Sequence, residues 1–121
     1  MSIVINQNIR MDYLYIDDLV NIIDFFINNK NKFNAYNLTP DKSVDLITIA
    51  HIINSVTKKN VVIKTVKRGL GLEYTGSNKR LSKELGNFKF SEIESAIKDL
   101  YQWYYKNRRL IDRKEILKDY L

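Results

Sequence analysis

The sequence predicts a small α/β domain of few short strands and about five helices, and three observations carry that expectation. Its 121 residues suit one domain, residues 1–121, which at this size can bury roughly two thirds of its unfolded surface without disulfides or metal. Runs rich in Val, Ile and Tyr alternate with runs whose apolar residues recur every three or four positions. Two boxes of the form Ser/Asp-x-x-Glu mark helix starts near the C-terminus.

In chain order, SIVINQNIRMDYLYI reads as two short strands around an Asn-Gln-Asn turn, with Tyr13, Tyr15 and Ile16 as strand formers. DDLVNIIDFFINN changes to helical spacing, with Leu19, Ile22, Ile23, Phe26 and Ile27 as its apolar stripe and Asp17 or Asp18 as cap. AYNLTP reads as a brief strand stopped by Pro40, the only proline. Ser43 opens a second helix carrying Val44, Ile47, Ile49, Ile52, Ile53 and Val56, and a strand follows from Asn60 to Val66. A short helix with Leu81 and Leu85 ends at Gly86. Ser91 with Glu94 caps the next, in which Ile93, Ile97, Leu100 and Tyr104 keep the period. Asp112 with Glu115 caps the last, where Ile111 can staple onto Ile116. The order is β-β-α-β-α-β-α-α-α.

Composition narrows the chemistry. There is no cysteine, which removes disulfides, thiolate zinc sites and cysteine nucleophiles. His51 is the single histidine, set mid-helix among apolar neighbours, so histidine-based triads and multi-histidine metal sites are absent and a structural role is expected. Asp17 and Asp18 are adjacent and read as caps, not as an acid–base pair. No catalytic constellation assembles, and no metal site. No apolar run approaches a membrane span and no signal pattern opens the chain, so a cytoplasmic protein with no membrane partner is expected.

The net charge of +6 is uneven: residues 1–57 balance at −2 and residues 58–121 at +8. A basic half attracts nucleic acid, an anionic surface or a phosphorylated small molecule, or is simply a solvated lysine face. The aromatics of LYQWYYKNRR offer a base-stacking platform beside cations, but Leu100, Trp103 and Tyr104 follow core spacing, so a helix that buries them and ends in cations suited to its dipole is expected instead.

Three of the four glycines lie in RGLGLEYTGSNKRL, residues 68–81. Their spacing matches neither Gly-x-Gly-x-x-Gly nor a Walker loop. They either bend a strand into a helix or let the backbone come close to an anion.

Three stretches together resemble a known family. MDYLYIDDLVNII is similar to the Arg-Asp-Phe/Tyr-x-Tyr/His-Val-x-Asp segment that opens the substrate lobe of the extended short-chain dehydrogenases. AYNLTPDKSVDLITIAHII resembles that family's strand ending in Tyr-Asn and the Ser-x-x-Leu helix start behind it. KRGLGLEYTGSNKRLSKELGNF resembles the Arg-Pro-Gly-Asp…Asp-x-x-Lys/Arg-x-x-x-x-Leu-Gly segment of sugar-nucleotide epimerases and dehydratases, and AIKDLYQWYYKN their final helix. In that family an N-terminal Rossmann domain holds NAD(P) and carries the Tyr-x-x-x-Lys motif, while the C-terminal lobe closes on a nucleoside-diphosphate sugar. No tyrosine here is followed four residues later by lysine, and the dinucleotide glycines are missing.

The resemblance therefore implies the C-terminal substrate-binding lobe alone. It implies NAD(P) in the parent enzyme and none bound by this chain, a missing Rossmann domain as partner, and a nucleoside-diphosphate sugar as ligand. Arg68 stands where the family places a diphosphate-binding arginine, and a guanidinium fork suits that task. Tyr74 and Thr75 stand near its sugar pocket. The family's arginine before Asp-Tyr is Met11 here, with Arg10 one residue earlier; its Pro is Gly69 and its Asp is Ser77. Two alternatives remain: a basic nucleic-acid module acting through residues 64–114, and a scaffold subunit pairing with a separate Rossmann protein.

Overall fold

A computed structural model describes residues 2–112 of the chain. Its elements are β1 (Ser2–Asn8), β2 (Arg10–Met11), α1 (Ile16–Asn28), β3 (Val44–Asp45), α2 (Leu46–Thr57), β4 (Val62–Leu70), α3 (Lys79–Leu85) and α4 (Ile93–Lys106). This is the expected small α/β fold, with four helices among the described residues. The fifth helix, expected from the Asp112 box, lies outside them.

β1 and β4 pair in parallel, Ile3 opposite Ile63 and Ile5 opposite Thr65. Parallel pairing requires a crossover, and α1 and α2 lie in the connection. The strand alternates as its sequence does: Ile5 is buried while Val4 faces out. The Asn-Gln-Asn run does not turn. β4 continues four residues past Val66, so Gln7 and Asn8 find partners in Lys67 and Leu70. The Asn8 side chain also accepts from the amide of Ile47 at 3.1 Å. The register shifts between Gln7 and Asn8, where Gly69 adopts φ +79°. That is a bulge at a residue with no Cβ penalty.

The second expected strand shortens to β2, antiparallel to β3. Tyr13 and Tyr15 stay outside it, and Ile16 begins α1. AYNLTP forms no strand, because no described strand lies beside it to complete a ladder. Instead Tyr36 packs its ring on Phe26, with centroids 4.7 Å apart. α2 begins at Leu46 rather than Ser43, since β3 takes Val44 and Asp45 and the Asp45 carboxylate accepts the Thr48 amide at 3.0 Å as N-cap. At its other end Asn54 clamps the turn into β4, donating to the carbonyl of Val61 at 2.8 Å and accepting its amide at 3.2 Å. Gly86 ends α3 at φ +63°, as expected.

Five elements each send one residue to the core: Ile5, Ile22, Ala50, Leu81 and Ala96. Asp18 is buried with them. Its two oxygens accept from the amide and hydroxyl of Ser91, both at 2.9 Å. Ser91 therefore anchors to α1 rather than forming the expected box with Glu94, and α4 starts at Ile93 without a side-chain cap. This bond fixes the entry of α4 against α1.

Candidate functional site

The glycine segment leaves β4 at Leu70 and crosses the open ends of β1 and β2. The amide of Gly71 donates to the carbonyl of Asn8 at 2.7 Å, and that of Tyr74 to the carbonyl of Arg10 at 3.0 Å. At Gly71 a Cβ would stand 2.7 Å from Ile9 Cγ2, so the close approach excludes a larger residue without a shift. The Gly76 amide donates to Asp12 Oδ2 at 2.7 Å. Asn37 donates to the carbonyl of Ser77, and Asn78 donates to the carbonyl of Thr39 and to Asp41. The loop is thus held in place by side chains from the segments around Asp12 and 37–41.

The structure brings the four sequence-assigned residues to one region. Arg68 lies in β4, two residues longer into the strand than the sequence implied, and Arg10 lies in β2 just past the partner of Leu70. Both side chains are exposed, and among the described residues neither makes an ion pair or side-chain hydrogen bond. Asp45, directly across from Arg10 in the ladder, directs its charge elsewhere. The Thr48 amide, then the Thr48 hydroxyl, hold its carboxyl below the usual carboxylate range. Tyr74 is 79% exposed, and the Thr75 hydroxyl donates to Glu73 at 2.9 Å. The result is an exposed platform with two uncommitted guanidinium groups, a geometry able to take an anionic ligand.

Sequence reasoning missed the neighbouring cavity of about 340 Å³, lined by Ala35, Tyr36, Asn37, Ser77, Lys79 and Arg80. Arg80 sits 5.0 Å from the centroid of Phe33, a cation–π contact that holds it at the cavity edge. The basic pair opening α3 was the available signal. His51 is exposed on α2, and no metal-binding cluster forms among the described residues. In α4 Trp103 is 56% exposed, so the expected burial of its aromatic run is not seen. No helix among the described residues is long and apolar enough to cross a membrane.

No family model and no curated protein matches the chain. Among solved structures, the UDP-glucuronic acid 4-epimerase from Bacillus cereus, in complex with NAD, is similar with a TM-score of 0.64 at 14% sequence identity. The match covers 80% of this chain and 31% of that one. The chain therefore shares the fold of about a third of an NAD-bound epimerase.

Proposed function

We propose that this chain is the substrate-binding lobe of an NAD-dependent nucleotide-sugar epimerase or dehydratase, inactive by itself. The observation that carries the reading is the fold likeness, which falls on a chain whose motifs already resemble that family. Arg68, with Arg10 beside it, binds the diphosphate; Tyr74 and Thr75 flank the sugar. NAD and the reacting hydroxyl's acid–base groups belong to a separate Rossmann domain.

Two features support a missing partner domain. On α1 the residues Ile16, Val20, Ile23 and Ile27 form an apolar stripe 46–75% exposed, opposite the buried Ile22. A helix apolar on both faces is one that is covered on both. The accessible surface is 9992 Å², against about 6,800 Å² for a compact monomer of this mass. Ten residues lie outside the described range, and even ten fully unfolded residues would account for only about 1,900 Å² of that excess, by the unfolded-chain scaling.

The test is Arg68→Ala in the protein that joins this lobe to its Rossmann domain. Affinity for a nucleoside-diphosphate sugar should fall more than tenfold, since a charge-assisted hydrogen bond contributes roughly 1.5–3 kcal/mol. Unchanged affinity in calorimetry would remove Arg68 from the site.

A further inference from the structure

The cavity of about 340 Å³ beside α3 differs from the arginine platform in how its cation is held. Arg68 and Arg10 stand free on their strands, whereas Arg80 is positioned by a stack of rings. Phe26 packs on Tyr36 with centroids 4.7 Å apart, and Tyr36 meets Phe33 edge to face at 5.9 Å. The Arg80 guanidinium lies 5.0 Å from the Phe33 centroid. The Tyr36 hydroxyl accepts the Phe33 amide at 3.0 Å, which holds the two rings in one turn of chain. The Asn37 side chain donates to the Ser77 carbonyl at 3.1 Å and ties the two walls of the cavity together.

The lining offers donors and no counter-charge. Lys79 and Arg80 bring two positive charges, and no Asp or Glu lines the cavity. Among the described residues neither cation makes an ion pair, and the Ser77 hydroxyl is unengaged. The Tyr36 hydroxyl keeps its own proton to donate, because the bond from Phe33 uses only a lone pair. The donors are side chains, and they come from both walls.

We propose that this cavity is an anion site separate from the arginine platform, and that it binds the phosphate of a phosphomonoester. Such a group carries about 1.5 to 2 negative charges at neutral pH and three acceptor oxygens. It can engage both cations and both hydroxyls, where a carboxylate would leave one cation unpaired. A bare phosphate fills only part of the cavity, and room remains for the esterified group beside Ala35 and the Tyr36 ring. A nucleoside-diphosphate sugar has no terminal phosphate, so the two sites differ in chemistry as well as in residues. The inference does not rest on the proposed function.

The test is to titrate the isotope-labelled chain with inorganic phosphate, glucose 6-phosphate and acetate. The two phosphates should give saturable amide shifts centred on residues 35–37 and 77–80, and acetate should give none there. Arg80→Gln should weaken glucose 6-phosphate binding about tenfold or more. Phe33→Leu should weaken it about two- to fivefold, by releasing the guanidinium from the ring. Arg68→Ala should change nothing. The three replaced side chains are exposed, so circular dichroism should show the fold retained. A response centred on Arg10 and residues 68–75, an affinity unchanged by Arg80→Gln, or an equal response to acetate overturns the proposal. So do non-saturating shifts shared with the exposed Lys59 and Lys98, which would mark an adventitious ion only.

Discussion

Asp12 and Asp18 perform the same task at two depths. Each accepts a backbone amide from far along the chain, Asp12 from Gly76 at 2.7 Å and Asp18 from Ser91 at 2.9 Å. Asp18 is 5% exposed and takes the Ser91 hydroxyl as well, so its carboxylate is saturated inside the core. Asp12 is half-buried at the edge of the glycine segment, where water can replace it. The comparison teaches that the junction of α1 with α4 is built to be fixed. The loop bearing the proposed ligand groups is anchored by a bond that solvent can relax.

That contrast can be broken directly. Removing the buried acceptor leaves two donors unsatisfied, so Asp18→Ala should cost about 1–3 kcal/mol in urea unfolding, with Asp12→Ala near the low end of that range or below. Equal costs would remove the distinction. Hydrogen exchange sharpens it: the Gly76 amide should exchange faster in Asp12→Ala with the Ser91 amide unaffected.

A smaller effect comes from the third structural carboxylate, Asp45. As N-cap of α2 it is worth about 0.5–2 kcal/mol against alanine. Its folded pKa is lowered by the Thr48 amide and hydroxyl, so its charge contributes stability that is fully present above the ordinary carboxylate value of about 3.9. That contribution is lost as pH falls through the lowered folded value. Asp45→Asn keeps a capping oxygen, so acid unfolding of this variant should show a shallower loss below about pH 4. An identical acid limb would remove the carboxylate from that role.

Helices were legible where a local period wrote them: α1, α2, α3 and α4 lie where their stripes predicted, with starts displaced by up to three residues. What could not be read locally was pairing. Asn6 to Asn8 has turn composition, yet β4 extends far enough to hold it as strand. AYNLTP has strand composition, yet no described strand stands beside it. Ser91 has the pattern of a cap, yet a carboxylate 73 positions away accepts its donors. In the candidate site, Arg68, Arg10, Tyr74 and Thr75 were named from the sequence; Arg68 lies in β4 and Arg10 in β2, while Tyr74 and Thr75 lie in the loop beyond β4. Their supports, Asp12, Asn37 and Asn78, were missed because long-range side-chain bonds leave no periodic trace. Ile23 and Ile27 share a single stripe with Ile22 in the sequence reading, yet only Ile22 is buried, because periodicity marks a helix as apolar without saying what covers it.

The most direct test of the central reading is a titration of the isotope-labelled chain with a panel of nucleoside-diphosphate sugars, followed by amide spectra, beside parallel titrations with NAD and with single-stranded DNA. The account predicts progressive shifts centred on Arg10 and residues 68–75, lost in Arg68→Ala, with no response to NAD. Shifts absent from that region, or a salt-sensitive response to DNA centred on Trp103, Tyr105 and Arg108 of the α4 end, would contradict it.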